Sequence, residues 1–182
     1  MKVTEFEIEG LKLIEPMTYG DHRGFFVERY HQKRFEDAGL PTNFVQDNFS
    51  RSAPHVLRGL HYQFEPRQAK LVTCLSGRIF DVAVDIRKNS KTYGHHIAVE
   101  LSGDVPSWFW IPAGFAHGFC VLGDSPADVL YKVDAHWGQN GESGIIYDDK
   151  KLNIPWPIKD PIITDKDRNL QKFEDYSARP AF

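Results

Sequence analysis

Two short stretches of the sequence place ionisable side chains inside apolar, strand-like runs. In VLRGLHYQ (56–63), Arg58 and His61 lie on either side of a Gly-Leu pair, and in IPAGFAHGF (111–119) a tight turn leads into a strand at His117. A guanidinium can bind phosphate through two parallel hydrogen bonds, and imidazoles as a class titrate near neutral pH, which suits proton transfer or metal binding. Taken alone, each residue has a simpler interpretation as the polar edge of a core strand.

A metal site is one chemistry that these histidines suggest. The stretch around His117 resembles the second motif of the cupin jelly rolls, and metal-binding cupins carry two histidines and a glutamate in their first motif. The corresponding place here has His61, Tyr62 and Gln63, and Glu65 is too close for the usual spacing. A catalytic transition-metal site normally has three protein ligands and an open position. We therefore predict no metal, and interpret His61 and His117 as metal-free pocket residues.

The spacing of Arg58 and His61 raises a geometrical difficulty. In a regular strand, residues three positions apart face opposite sides of the sheet. Gly59 lies between them and is a natural place for a bulge or kink that restores a common face. The stretch therefore predicts a pocket-lining strand with a break, in which Arg58 binds phosphate and His61 moves a proton.

The elements that must position these residues are short strands. The segment KLVTCLSGRIFDVAVDIR (70–87) has two β-rich runs flanking a Ser-Gly turn, which predicts a hairpin. Other strand-like runs recur at intervals of about ten residues, as in sandwiches and barrels. These runs are 24–30, 44–50, 56–63, 94–101, 107–112, 117–123 and 128–134. We predict an all-β fold, a cupin-type double-sheet jelly roll in one domain over 1–182, with short helices (one at 32–39) and a looped C-terminal segment.

Composition excludes several functional classes. The 182 residues are 41% hydrophobic and carry a net charge of −3, so no general electrostatic attraction draws the protein to nucleic acid or anionic membranes. An anionic ligand must therefore be held by local arginines and lysines. The N-terminus has no hydrophobic signal core, and Cys74 and Cys120 lie in apolar runs, which is typical of buried thiols in a reducing cytosol. We predict a cytoplasmic protein.

Many stretches together, in this order, resemble the dTDP-4-dehydrorhamnose 3,5-epimerase family from about residue 10 to about residue 170. They are DHRGFFVE (21–28), FVQDN (44–48), VLRGLHYQ (56–63), QAKLV (68–72), FDVAVDIR (80–87), IPAGFAHGF (111–119), LYK (130–132), DDKKLNIPWP (148–157) and ITDKDR (163–168). The resemblance implies a cupin-like fold and a nucleotide-linked 4-keto-6-deoxy sugar as the substrate. It implies neither a redox cofactor nor a metal.

The resemblance also implies a set of catalytic residues. A ketone at C4 acidifies the C–H bonds at C3 and C5, because either carbanion delocalises onto the C4 oxygen as an enolate. His61 matches the family's base, and Asp167 matches the carboxylate that pairs with it. Lys70 is suited to stabilise the enolate oxygen, and Tyr131 matches the acid that reprotonates carbon from the opposite face.

A larger set of residues matches the family's substrate-binding positions. It consists of Arg23, Phe26, Glu28, Gln46, Asp47, Asn48, Arg58, His117, Glu142 and Lys166. Arginines and Lys166 suit the diphosphate or nucleotide, and Phe26 suits stacking on thymine. In the family, the segment 23–28 reaches into the neighbouring subunit's pocket, so the resemblance implies a homodimer.

Four functions are compatible with these residues, and the first is the one we predict. It is metal-independent epimerisation of dTDP-4-dehydro-6-deoxy-D-glucose at C3 and C5, a step toward dTDP-L-rhamnose for surface polysaccharide. The nearest alternative is a mono-epimerase acting at C3 or C5 of another nucleotide-linked 4-keto-6-deoxy sugar. A metal-dependent cupin enzyme would need bound iron, manganese or zinc. A non-catalytic nucleotide-sugar binding module would have no use for His61, Asp167 and Tyr131 together.

Overall fold

Two antiparallel β-sheets pack face to face in this computed structural model, which describes residues 1–182. In spatial order, the six-stranded sheet consists of β1 (Lys2–Glu5), β2 (Lys12–Glu15), β10 (Trp108–Ile111), β7 (Lys70–Ser76), β12 (Ala127–Val133) and β5 (Gln46–Ser52). The five-stranded sheet consists of β13 (Glu142–Gly144), β6 (Leu57–Gln63), β11 (Phe115–Val121), β8 (Arg78–Asp85) and β9 (His96–Ser102). The predicted all-β, double-sheet jelly roll is confirmed.

The remaining elements are small. Strands β3 (Thr18–Asp21) and β4 (Gly24–Val27) form a separate two-stranded hairpin whose side chains are mostly exposed. The helices are α1 (Gln32–Asp37), α2 (Asp165–Arg168) and α3 (Phe173–Ala178). None of them has the length and apolar character needed to span a membrane. The short helices and the looped C-terminal segment, which the sequence predicted, are both present.

The strand predicted over 24–30 is shorter than expected, since β4 ends at Val27. Beyond it the chain turns toward α1 and is held by side-chain contacts instead of a β-ladder. The indole N–H of Trp108 donates to the Arg29 carbonyl oxygen at 2.7 Å, and the Tyr30 ring packs edge-on against Phe35 of α1. The β propensity of this run was outweighed by these tertiary contacts.

The main core lies between the two sheets, where strands β7 to β12 contribute alternate residues. Its buried members are Ile8, Leu11, Val72, Cys74, Ile79, Ala83, Ile97, Val99, Leu101, Phe109, Ile111, Phe115, Phe119, Val121, Ala127 and Val129. A second apolar cluster covers the outer face of the five-stranded sheet, where Phe173 and Tyr176 of α3 pack on it. A third places Phe35 of α1 on the outer face of the six-stranded sheet. Cys74 and Cys120 are buried free thiols, as predicted.

The hairpin predicted over 70–87 is wrong, because β7 and β8 belong to opposite sheets. Strand β7 pairs with β10 and β12, whereas β8 pairs with β9 and β11. Gly77 carries the chain from one sheet to the other with φ of 74°, and a Cβ there would lie 2.4 Å from the Pro126 carbonyl oxygen. A Ser-Gly turn between two strand-like runs marks a reversal, but it does not determine whether the two strands pair or enter opposite sheets.

The break predicted at Gly59 is confirmed and gives Arg58 and His61 a common face. Arg58 lies opposite Phe119 and His61 opposite His117, so three steps on β6 match two steps on β11. Gly59 has φ of 120°, and an added Cβ would lie 2.6 Å from the Gly118 Cα. Only glycine fits this approach without strain.

Candidate active site

Two adjoining cavities, lined by residues from strands of both sheets, contain most of the predicted site residues. The first, of about 310 Å³, is bounded by Ser50, Arg58, His61, Lys70, His117, Gly118, Phe119, Tyr131, Thr164, Lys166 and Asp167. The second, of about 290 Å³, is bounded by Gln46, Asn48, His61, Tyr62, Gln63, Gln68, Lys70, Tyr131, Trp137 and Glu142. His61, Lys70 and Tyr131 line both cavities, so the predicted base, cation and acid stand where the two meet.

His61 on β6 is paired with a carboxylate from the C-terminal segment. Its Nε2 lies 2.7 Å from Oδ1 of Asp167, and the backbone N–H of Gly59 donates to Oδ2 at 3.3 Å. Thr164 caps α2 by accepting a hydrogen bond from the Asp167 backbone N–H at 3.2 Å. The segment is docked beside β6 by the Leu57 N–H, which donates to the Ile162 carbonyl oxygen at 3.0 Å.

The environment of Asp167 determines which nitrogen of His61 is free. Burial works to raise the pKa of Asp167, but the hydrogen bond with His61 and the one from Gly59 outweigh it, so the pKa lies below its usual range. An ionised carboxylate accepts a hydrogen bond from Nε2–H. The lone pair of the neutral ring is then on Nδ1. The pair therefore orients the imidazole and supports its action as a base.

Lys70 and Tyr131 project from the interior face of the six-stranded sheet. Burial away from water lowers the pKa of Lys70 to about 8, opposed by the charges of Glu142 and Asp81. Burial raises the pKa of Tyr131, helped by Glu142 and opposed by Arg58, so the phenol keeps its proton at neutral pH. A cation and a protonated phenol thus face the same space as the His61 ring.

Cationic groups line the first cavity. The Nε of Arg58 donates to the Ser52 Oγ at 2.9 Å, which leaves the terminal guanidinium nitrogens available for an anion. The Lys166 ammonium donates to Glu142 Oε2 at 3.1 Å. Burial works to raise the pKa of Glu142, but Lys166 and the nearby His61 imidazole lower it below its usual range. The arrangement suits an anionic group beside the two cations.

Strand β5 shows how alternation sorts neighbouring residues. Gln46 and Asn48 face the second cavity and are joined by a 2.8 Å hydrogen bond. Asp47 points to the opposite face, where it pairs with the Lys132 ammonium at 2.9 Å, and it lines neither cavity. The Asp47 side chain therefore lies apart from those of Gln46 and Asn48, because a period of two separates them, and its predicted role in substrate binding stays a prediction.

His117 forms a second histidine–carboxylate pair within the first cavity. Its Nε2 lies 3.0 Å from both carboxylate oxygens of Asp81, which belongs to the neighbouring strand β8. The His117 side chain is 8% exposed and that of Asp81 is fully buried. No cluster of three or more histidine, cysteine, aspartate or glutamate side chains is placed to hold a metal ion.

Three predicted binding residues lie away from both cavities. Arg23 on the exposed β3–β4 hairpin is paired with Asp21, and Phe26 on the same hairpin is 68% exposed. Glu28 is paired with Arg34 of α1 at 3.0 Å. Within one chain, the structure does not bring Arg23, Phe26 or Glu28 to the residues around His61.

Eight residues that line the cavities were not predicted as site residues, and Ser50 and Trp137 are two of them. Ser50 lies two positions after Asn48 on β5, and the alternation of that strand was a sufficient signal for it. Trp137 lies in a loop, with its backbone N–H donating to Gln46 Oε1 at 3.2 Å and its side chain half exposed. No periodic pattern points to a loop residue, so the position of Trp137 depended on the tertiary structure.

Similarity to known proteins extends over nearly the whole chain. A family model for dTDP-4-dehydrorhamnose 3,5-epimerase matches residues 5–175. The chain is 51% identical over 177 residues to the dTDP-4-dehydrorhamnose 3,5-epimerase of Shigella flexneri, covering 96% of this chain and 97% of that protein. These matches include every element that lines the two cavities.

Two solved structures are similar in fold and sequence. The dTDP-6-deoxy-D-glucose-3,5-epimerase from Legionella pneumophila, in complex with dTDP-4-keto-L-rhamnose, is 47% identical with a TM-score of 0.89, covering 94% of this chain and 92% of that one. A 3′-monoepimerase from Streptomyces bikiniensis, in complex with dTDP-quinovose, is 30% identical with a TM-score of 0.88, covering 95% and 88%. A 3,5-epimerase and a 3′-monoepimerase therefore share this fold.

Proposed function

Because this chain belongs to the dTDP-4-dehydrorhamnose 3,5-epimerase family, we propose that it epimerises dTDP-4-dehydro-6-deoxy-D-glucose at C3 and C5 to dTDP-4-dehydro-L-rhamnose. The observation that carries the proposal is the meeting of His61, Lys70 and Tyr131 at the boundary of two cavities, with Asp167 bound to His61 at 2.7 Å. These are the groups that proton transfer next to a ketone requires.

The first step is removal of the proton from C3 or C5 by His61. Nδ1 accepts the proton while Nε2–H remains hydrogen-bonded to Asp167, so the imidazolium forms beside an ionised carboxylate. The electron pair of the broken C–H bond moves into the ring and onto the C4 oxygen as an enolate. Preorganised charge next to the site of the developing charge lowers the barrier without reorganisation of solvent.

Lys70 is the group that we assign to the enolate oxygen. Lys70 is half-buried where the two cavities meet, and away from bulk solvent its interaction with a developing oxyanion is stronger than it would be in water. The lysine must be protonated for this role. A pKa of about 8 leaves it mostly cationic at neutral pH.

Tyr131 returns a proton to the same carbon from the opposite face. Its raised pKa keeps the phenol protonated until the enolate is present. Carbon gains the phenolic proton, the enolate collapses to the ketone, and the enzyme is left with an imidazolium and a phenolate. Exchange of protons with solvent restores both groups before the second inversion.

The diphosphate and nucleoside are assigned to the remaining cavity residues. Arg58 and Lys166 supply cations for the diphosphate, while Gln46, Asn48 and Trp137 supply hydrogen-bonding groups and an aromatic face.

We also propose a homodimer, in which the exposed β3–β4 hairpin brings Arg23 and Phe26 to the cavity of the other subunit. Support comes from the exposure of Phe26 and from exposed Tyr19 and Phe25 on the same hairpin.

The cytoplasmic location and the single-domain organisation stay predictions.

The test is proton NMR of dTDP-4-dehydro-6-deoxyglucose incubated with metal-stripped protein in deuterated water. We expect deuterium at both C3 and C5 together with the epimerised product. Exchange at one carbon would assign a mono-epimerase, the alternative that similarity to the 3′-monoepimerase keeps open. No exchange at either carbon would contradict an epimerase acting on this substrate. Exchange that returns only when metal is added would favour a metal-dependent enzyme.

A further inference from the structure

One buried hydroxyl in the first cavity has no hydrogen-bond partner within the protein. The Oγ of Ser50 is the only buried side-chain nitrogen or oxygen atom of the chain in this condition. Buried polar atoms are nearly always hydrogen-bonded, and exceptions call for a specific explanation. The hydroxyls of Thr73 and Ser90, by comparison, donate to the Ser107 carbonyl oxygen at 2.6 Å and to the Asp85 carboxylate at 2.5 Å.

The position of Ser50 on β5 explains why no protein group reaches it. Ser50 lies directly opposite Val129 of β12, a fully buried residue of the core between the sheets. The neighbours of Ser50 on the same face of β5 are Asn48 and Ser52. Asn48 lies opposite Tyr131, and Ser52 accepts the hydrogen bond from Arg58 Nε. Ser50 therefore stands at the junction of the apolar core and the polar wall of the cavity that it lines.

We propose that Ser50 is a further substrate-binding residue, whose hydroxyl makes a hydrogen bond with a ring hydroxyl of the sugar. The inference rests on the proposed function, which places the sugar ring beside His61, Lys70 and Tyr131 in this cavity. A sugar hydroxyl both donates and accepts, as a serine hydroxyl does, and so it satisfies Ser50. Arg58 and Lys166 line the same cavity and have the charge that a phosphate requires.

A site built in this way selects for ligands that carry the hydroxyl. A ligand without it would leave the Ser50 Oγ buried and unpaired in the complex, and such mismatches are discriminated against strongly. In the free protein, Ser50→Ala removes a hydroxyl that has no protein partner. We therefore expect this substitution to leave the melting temperature unchanged or to raise it, unlike the loss of a satisfied buried hydrogen bond.

The experiment compares binding of dTDP-glucose and of dTDP to the wild-type protein and to Ser50→Ala by calorimetry. We expect the Kd of dTDP-glucose to rise roughly tenfold, as for loss of one hydrogen bond, while the Kd of dTDP stays within about twofold. The melting temperature of the variant should not fall. Equal weakening of both ligands would overturn the inference in favour of a nucleotide or phosphate contact. Unchanged affinity for both would show that Ser50 contacts neither.

Ser90→Ala is the matched control, because Ser90 lies outside both cavities and donates to the buried carboxylate of Asp85. It should lower the melting temperature and leave both affinities unchanged. The binding measurement needs no turnover, so it separates this inference from the proposed reaction. Active wild-type protein with unchanged binding by Ser50→Ala would contradict the inference alone, and wild-type protein inactive on the 4-keto sugar would contradict the reaction.

Discussion

The same cavity contains two histidine–carboxylate pairs that differ in access and in origin. His61 is 26% exposed at its side chain and is held by Asp167, which lies 106 residues away on a C-terminal helix. His117 is 8% exposed and is held by Asp81 on the adjacent strand of the same sheet, with both carboxylate oxygens engaged. The same two side-chain types thus form one partly exposed pair at the junction of two cavities and one buried pair in the wall of the first cavity.

The surroundings of such a pair, more than its chemistry, separate a base from a structural element. A base must reach its substrate, exchange its proton with solvent and keep one nitrogen free. His61 meets these conditions through its partial exposure and through Asp167, which occupies only Nε2. The pair of His117 and Asp81 has almost no exposed surface, which is typical of a group that maintains the shape of a site.

Replacement of His61 gives the largest expected effect. His61→Ala should lower kcat by about 10⁴-fold and abolish deuterium incorporation at both carbons, because the general base is absent. Nucleotide affinity, measured by calorimetry with dTDP, should stay within about threefold. His117→Ala is the counterpart and should lower stability by about 3 kcal/mol, because it leaves Asp81 buried and unpaired. Wild-type turnover by His61→Ala would end the assignment of the base.

Replacement of Tyr131 sharpens the contrast between the two faces of the sugar. Tyr131→Phe should reduce epimerised product by about 10²–10³-fold, because the opposite-face acid is missing. Exchange of the C3 and C5 protons with deuterated water should persist within about tenfold, since His61 can still remove and return a proton on its own face. NMR measures both rates in one sample. Equal loss of exchange and of product would contradict separate roles for the two residues.

The two carboxylates provide a matched pair of substitutions. Asp167→Asn should lower kcat by about 10²-fold, because an amide does not hold Nε2 in its protonated tautomer or stabilise the imidazolium. Asp81→Asn should act mainly on stability, lowering the free energy of unfolding by about 2 kcal/mol, with kcat within about tenfold of wild type. Urea denaturation and steady-state kinetics of both variants test this. A larger loss of kcat in Asp81→Asn would reverse the assignment of the two pairs.

The smallest expected effect is the pH dependence contributed by Lys70. The pKa of Lys70 is lowered to about 8 by burial, so its charged form predominates below that pH and is lost as the pH rises through it. We expect kcat/KM to fall above about pH 8, approaching roughly tenfold per pH unit. Lys70→Arg keeps its charge and should remove this fall, whatever its overall rate. A profile that stays flat from about pH 8 to about pH 9.5 in the wild type would contradict a role for charged Lys70.

Much of the fold was accessible from local patterns. Alternation and turn residues predicted the strands. The helix predicted over 32–39, with Gly39 at its end, corresponds to α1 (Gln32–Asp37). Gly59 marked the break that places Arg58 and His61 on one face. Alternation along β5 could also have separated Asp47 from Gln46 and Asn48, and it could have found Ser50. These features depend on residues close in sequence, where a period of two or a positive φ is decisive.

The sequence by itself determined the strand content, the break at Gly59 and the family, because each depends on local pattern or on motifs in a fixed order. Only the tertiary structure decided that β7 and β8 belong to opposite sheets, that His117 pairs with Asp81, and that Ser50 has no partner. It also decided the lowered pKa of Lys70. The physical reason is that sheet assignment, long-range pairing and desolvation depend on which distant segments pack together, and no local period encodes that.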